Sequence, residues 1–338
     1  PDIHMHSSGD PLAHHATTVL VEMLDLPAAD DAANQHPPAS SIHAAALAAS
    51  QLRRAPAGHA VYALAQPLFD AHGAVWPSHS AQGRTVHAAY QHGSDHAVVL
   101  TGGQHANEIS GVAGALRGAL ALAQQADSHF AYVPIENPDG YALHQWYCET
   151  APQQMHHAAR YTALGDDLEY RDHAPWLEAA VRRNAIAGSG AQLHLSLHGY
   201  PAHEWTRPLT GYIPQGFDLW TIPKGFFLII RYHDGWEAEA NQLAQQVTQA
   251  LLQVPGLPAF NAQQLALYQQ HSGQQPFALI HGTPCSISRN NASPAPMTFI
   301  TEFPDQTVEG DAFVFAHTVQ QAAVLAAYAA WQDIMQNR

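Results

Sequence analysis

The segment Gly102-Gly103-Gln104-His105-Ala106-Asn107-Glu108 sets an imidazole and a carboxylate three residues apart. That spacing brings both side chains to one side of a helical turn, where one metal ion can bridge them. A catalytic zinc takes three protein ligands and keeps a fourth position for water, and two histidines with one glutamate form a standard set. The third ligand must come from another part of the chain. In Leu193-His194-Leu195-Ser196-Leu197-His198-Gly199-Tyr200, the even spacing of His194 and His198 puts them on the same face of a strand. His198 closes the apolar run beside a glycine that permits close backbone approach, so it is expected to be the ligand and His194 a core or supporting histidine. In a chain with 25 histidines the pair His105 and Glu108 takes its meaning from context: an apolar strand runs into paired glycines, the pair follows, and a helix comes next.

The elements that must position these residues follow from the pattern. From residue 97 onward short apolar runs alternate with longer helical segments. Strands are expected over 97–101, 129–135, 191–197, 226–230 and 297–303, and helices over 109–126, 174–187, 236–253 and 311–336. The fold class implied is α/β, a mixed, largely parallel central β-sheet flanked by helices. In such sheets sites collect beyond the carboxyl ends of the strands. His105 and Glu108 follow one strand, His198 ends a second, and Glu302 lies near the end of a third. Upstream, a helix is expected over 41–52 and strands over 59–66 and 84–90. The first forty residues lack periodicity, and histidines 4, 6, 14 and 15 there read as part of a solvated segment. The chain therefore divides into an N-terminal segment, 1–83, and a catalytic domain, 84–338.

Composition narrows the partners. Lys and Arg total 13 against 28 Asp and Glu, a formal charge of −15 that repels phosphate backbones and argues against nucleic acid. Mild acid would charge the histidines and cancel much of it. No stretch approaches the roughly 18 consecutive apolar residues of a membrane helix, so no membrane partner is expected. Cys148 and Cys285 are too few for a disulfide scaffold; they either pair or stay as two buried thiols. The chain begins at Pro1 without a basic and then apolar leader, so no targeting segment is read in it.

Taken in order, the motifs resemble the zinc metallocarboxypeptidase family. The matching stretches are Gly103 to Glu108, Asn137 to Tyr141, Leu195 to Tyr200, and Thr298-Phe299-Ile300-Thr301-Glu302, within a span of roughly 84 to 335. The resemblance implies a carboxypeptidase A-like fold and one Zn2+ per chain, held by His105, Glu108 and His198. It further implies hydrolysis of a peptide or peptide-like amide by zinc-activated water, with Glu302 as the general base that passes a proton to the leaving amine. Tyr268-Gln269-Gln270-His271-Ser272-Gly273 resembles the family's mobile tyrosine loop, which closes over substrate.

One part of the pattern departs. Family members that remove a C-terminal residue carry an Asn-Arg pair for the free carboxylate and another arginine for the oxyanion; the corresponding stretch here is Gly165-Asp166-Asp167-Leu168-Glu169-Tyr170-Arg171. Arg160, Arg171 or Arg207 is expected to stand in, because the planar guanidinium binds a carboxylate with two charge-assisted hydrogen bonds. The Pro- and aromatic-rich stretch 201–224 is expected to wall the cleft. Two other readings compete with peptide hydrolysis: deacylation of small N-acyl amino acids, as in the desuccinylase and aspartoacylase group, and a non-catalytic binding protein on a peptidase fold.

Overall fold

The computed structural model describes residues 41–152, 156–200, 224–272, 277–305 and 308–338, apart from the side chains of 271 and 272. The histidines of the first forty residues, the stretch 201–223 and Arg207 lie outside the described residues.

Nine strands form one sheet: β1 (Ala74–His79), β2 (Thr85–Gln91), β3 (Val98–Gly102), β4 (Phe130–Val133), β5 (Leu193–Tyr200), β6 (Phe227–Tyr232), β7 (Ala278–Ile280), β8 (Thr283–Arg289) and β9 (Met297–Pro304). Their spatial order is β1-β2-β4-β3-β5-β9-β6-β8-β7. The centre, β4-β3-β5-β9, is parallel, while β2 joins β4 and β6 joins β9 antiparallel. Strands β3, β5 and β9 are buried along their whole length, as near-continuous apolar runs covered on both faces should be.

Among the described residues eight helices flank the sheet: α1 (Ile42–Ser50), α2 (Gly58–His72), α3 (Ile109–Leu122), α4 (Pro138–Thr150), α5 (Ala179–Ser189), α6 (Glu237–Leu251), α7 (Leu257–Ser272) and α8 (Asp311–Asn337). Helix α8 is long and apolar enough to span a bilayer, yet it buries Phe313, Val319, Ala323, Ala327 and Trp331 in the core against α3 and α6. Helix α3 lies unusually close to β5. A side chain at Gly111 would bring its Cβ to 2.5 Å from the Leu197 carbonyl oxygen, so only glycine allows this approach.

The run 59–66, expected as a strand, is instead the first half of α2. Its buried residues Val61, Leu64, Ala65, Leu68 and Phe69 follow the spacing of a helix face, which a window of eight residues is too short to reveal. The described residues all belong to one unit, in which α1 and α2 pack on α3 and β1 extends the sheet edge. Cys148 and Cys285 are both free thiols, the first exposed and the second buried.

Candidate metal centre

The loop from β3 to α3 carries the first two candidate ligands. It is a turn rather than a helix: the Glu108 N–H donates to the His105 carbonyl at 3.1 Å, and Glu108 sits at the N-cap of α3. The loop is tied down by the Asn137 stretch, whose Glu136 and Asn137 N–H groups donate to the Gly102 and Gly103 carbonyls at 2.9 and 3.0 Å. The Asn137 side chain caps α4 by accepting from the Gly140 N–H, with Pro138 in the first helical turn. This motif is therefore scaffold that holds the ligand loop in place.

His198 comes from the end of β5, and the three side chains converge. His105 Nδ1 lies 2.9 Å from one Glu108 oxygen, His198 Nδ1 lies 2.8 Å from the other, and the two Nδ1 atoms are 3.0 Å apart. All three residues are buried. The outer nitrogens are engaged as well: His105 Nε2 meets an Asp167 oxygen at 3.0 Å, and His198 Nε2 meets the Ser196 hydroxyl at 2.9 Å. The carboxylate of Asp167 can only accept, so His105 Nε2 donates to it; Nδ1 in turn donates to Glu108, and it would present its lone pair inward once a metal displaces that proton.

Inward lone pairs meeting a carboxylate are the donor set of a metal site. A tetrahedral zinc with ligands at about 2.0–2.2 Å separates its donors by about 3.3–3.5 Å, so the observed triangle needs to open by only a few tenths of an ångström. Four carboxylates, of Glu108, Asp167, Glu302 and Asp305, gather around it against three cations, Arg160, Lys224 and Arg231. These residues fit a zinc ion.

The same crowding shifts the titrating groups. Burial alone would push the His105 imidazole down, but Glu108 and Asp167 hold it above its ordinary range. His198, dominated by burial, lies below. Glu108 is held well below the usual carboxylate range because the two imidazoles outweigh its burial.

Glu302 is the register partner of His198 across the parallel β5 and β9 pair, so both side chains stand on one face of adjacent strands. Its carboxylate is buried, and one oxygen, Oε2, has no hydrogen-bond partner among the described residues. Burial, reinforced by Glu108, raises its pKa well above the usual range, while Arg160 and Lys224 pull it back. A divalent cation held by Glu108 would add to that pull.

The arginine candidates separate clearly. Arg160 donates to Glu108 at 3.0 Å and to Asp167 at 3.1 Å, which brings its guanidinium to the edge of the triangle. Arg171, itself buried, is engaged by the half-exposed Asp166 at 2.6 Å and the buried Glu178 at 3.3 Å, contrary to the substrate-binding expectation. It is a structural ion pair, and Tyr170 beside it is exposed.

Tyr268 also departs from expectation. It lies inside α7, fully buried, with its ring 5.3 Å from that of Phe277 and 5.6 Å from the Lys224 amine. It is part of a packed helix rather than of a loop free to close. His194 meets the Thr101 hydroxyl at 3.0 Å, and burial drives its pKa well below the ordinary value, in keeping with a neutral supporting role.

Several residues of the site carry no signal in the sequence. Asp167 orients His105 from 62 positions away. Lys224 lies buried over the Tyr200 and Phe227 rings, and burial lowers its pKa to about 8 against the pull of Glu302. Gln320 of α8 donates to the His198 carbonyl at 2.7 Å and to Ser110 Oγ at 3.2 Å, and accepts from Thr301 at 2.5 Å. One amide thus ties the third ligand, the start of α3 and the strand of Glu302 together.

No protein-family model matches the chain, and no curated protein sequence matches it. Solved structures do. A metallo-carboxypeptidase from Burkholderia cenocepacia is 16% identical, covering 81% of this chain and 68% of that one at a TM-score of 0.47. Bovine thrombin-activatable fibrinolysis inhibitor, solved in complex with tick carboxypeptidase inhibitor, is 12% identical over 86% of this chain and 100% of its own, also at 0.47. The catalytic domain of CwlV, an N-acetylmuramoyl-L-alanine amidase from Bacillus (Paenibacillus) polymyxa var. colistinus, is 12% identical over 72% and 99%, at 0.34. These are likenesses of chain path, and the chemistry has to come from the residues of the site.

Proposed function

We propose that residues 84–338 carry a zinc-dependent hydrolase of peptide or peptide-like amide bonds, acting as a carboxypeptidase, with His105, Glu108 and His198 as ligands of one zinc at this centre. The observation that supports this reading best is the convergence of three ligand side chains, two imidazole nitrogens and the two oxygens of one carboxylate with contacts of 2.8–3.0 Å, beside a buried carboxylate, that of Glu302. Zinc, when bound, supplies a Lewis acid that polarises a carbonyl and acidifies water.

The chain's own residues do the rest. Glu302 takes the proton from the attacking water on its carboxylate and returns it to the leaving amine. Asp167 holds His105 in the tautomer that presents Nδ1, and Ser196 holds His198. Arg160, anchored by Glu108 and Asp167, supplies the positive charge nearest the ligands for a substrate carboxylate or a developing oxyanion. With Arg171 engaged elsewhere, Arg160 is the candidate among the described residues that stands at the centre.

The engagement of Arg160 by two carboxylates also favours a second reading, an amidase acting on peptide-like amides that lack a free terminal carboxylate. A single set of assays decides. Glu302→Gln is expected to keep its zinc and lose turnover by about a hundredfold or more. Matched peptides with free and amidated C-termini are expected to differ by about tenfold or more in kcat/KM, in favour of the free acid. Normal turnover by Glu302→Gln would move the base elsewhere, and equal cleavage of both peptides would reject carboxypeptidase action in favour of the second reading.

A further inference from the structure

A second convergence of ligand atoms lies on α4, outside the centre described above. His144 and Cys148 stand four residues apart on the same face of that helix, and His156 reaches them from just before the short 3-10 helix His157–Arg160. The candidate ligand atoms are Cys148 Sγ, His144 Nε2 at 3.6 Å from it and His156 Nδ1 at 3.9 Å; His144 Nδ1 donates to His156 Nδ1 at 3.1 Å, a bond that an ion on His156 would replace. Each of the three residues can bring one ligand atom within 4.8 Å of the others.

The surroundings orient this cluster as a metal site requires. His156 Nε2 meets the Ala151 carbonyl at 3.2 Å, and a carbonyl can only accept, so the proton sits on Nε2 and Nδ1 is left as a donor facing the cluster. The His156 ring is held flat against Tyr147, with centroids 5.3 Å apart and planes at 20°. Both imidazoles are buried, whereas Cys148 is exposed. The cluster borders a cavity of about 1280 Å³ that is also lined by Glu149 and Glu309.

We propose that His144, Cys148 and His156 bind a second zinc-type ion, whose fourth coordination position opens into this cavity. A tetrahedral zinc with one thiolate at about 2.3 Å and imidazole nitrogens at about 2.0–2.1 Å sets its sulfur and nitrogen atoms about 3.6 Å apart, close to the 3.6 and 3.9 Å found here. A thiolate with two imidazoles disfavours hard ions such as magnesium and calcium and suits zinc and its neighbours. Binding balances simply, since the thiol releases its proton to solvent as the sulfur takes the ion. The metal count of the loaded chain therefore rises beyond the single ion of the first centre. His156 leads through the 3-10 helix to Arg160, so an ion here also anchors the segment that delivers Arg160 to the first centre.

The test uses the full chain and cobalt(II) as the spectroscopic probe, because a cobalt–thiolate bond gives a near-ultraviolet charge-transfer band that imidazole and carboxylate ligands do not. Wild type is expected to show the band, and Cys148→Ser is expected to lose it together with one equivalent of bound metal. His156→Gln is expected to weaken the band at least tenfold in the cobalt concentration needed. The double variant His105→Ala, His198→Ala is expected to keep it, which separates this site from the first centre. Metal bound adventitiously by the remaining histidines is common to wild type and Cys148→Ser and cancels in the comparison. As a measurement that needs no variant, zinc should slow alkylation of Cys148 in wild type by at least tenfold, with the buried Cys285 as internal reference. Equal metal content in wild type and Cys148→Ser, absence of the band at saturating cobalt, or alkylation unaffected by zinc would overturn the proposal. The trio would then be a hydrogen-bonded chain ending at the Ala151 carbonyl.

Discussion

Replacing Gly111 by alanine puts the metal centre under a defined mechanical load. The added Cβ would stand 2.5 Å from the Leu197 carbonyl oxygen and 2.8 Å from its carbon, where ordinary contact begins at 3.4 Å. Helix α3 and strand β5 must then part by about 0.9 Å, and neither partner is a side chain that can swing aside. Glu108 caps that helix and His198 follows Leu197 directly, so the separation falls on the ligand triangle itself. Metal–ligand distances tolerate only about 0.2 Å. Zinc affinity should therefore drop by at least the tenfold to hundredfold (about 10–100-fold) typical of lost ligand orientation.

Stability should suffer less. Overpacking costs about 1–3 kcal/mol, and alanine returns up to about 1 kcal/mol of helix propensity, which leaves a net loss of about 0–2 kcal/mol. For a chain of this size that lowers Tm by only a few degrees, at about 2–4 °C per kcal/mol or less. The assay is competition for zinc against a chelator of graded affinity, with thermal melts of the same metal-free samples. Gly118→Ala is the control: its Cβ meets Val324 at 2.7 Å on the same helix, away from the ligands. It should lower Tm comparably and leave zinc affinity intact. If Gly111→Ala binds zinc like wild type, or if Gly118→Ala loses zinc equally, the argument from helix-to-strand distance is wrong.

Asp167→Ala removes the partner of His105 Nε2 and should weaken zinc binding about 10–100-fold, measured in the same competition; unchanged affinity would mean that Asp167 does not set the tautomer. His317 predicts a pH effect on stability. It donates from Nε2 to the Leu52 carbonyl and accepts from Arg117 at Nδ1, and burial lowers its pKa to about 4. Between about 4 and its unfolded value of 6.5 the unfolded chain holds the proton and the folded chain does not, so this contribution is complete above 6.5 and is lost as pH falls toward 4. The loss is up to about 3 kcal/mol, and urea titrations of wild type and His317→Gln across that range should show a flatter curve for the variant.

The strands that carry His198 and Glu302 were legible because a fully buried parallel strand is written as an unbroken apolar run, as in β5 and β9. Their order in the chain also brought the ligand set within reach, since the sites of parallel sheets gather at strand ends. That the two residues are register neighbours is a property of strand pairing, which no local pattern contains. The same limit hid Asp167 and Gln320, ordinary polar residues until the fold brings a histidine or a carbonyl against them. It also left three arginines equivalent on paper, although Arg171 is bound to Asp166 and Glu178 while Arg160 stands at the candidate ligands. Tyr268 was misplaced because a short motif match says nothing of the helix around it.

The amide of Gln320 has a consequence for how the protein comes into being. Ribosomes deliver the chain from its N-terminus, so His105, Glu108 and His198 emerge long before Glu302, and Gln320 emerges later still. Until α8 is made, the His198 carbonyl, Ser110 and Thr301 lack the group that joins them, and α3 lacks one of the surfaces on which it packs. A growing or truncated chain can own every ligand and still have no rigid centre. Hydrolytic competence on this reading arrives only once α8 has been made.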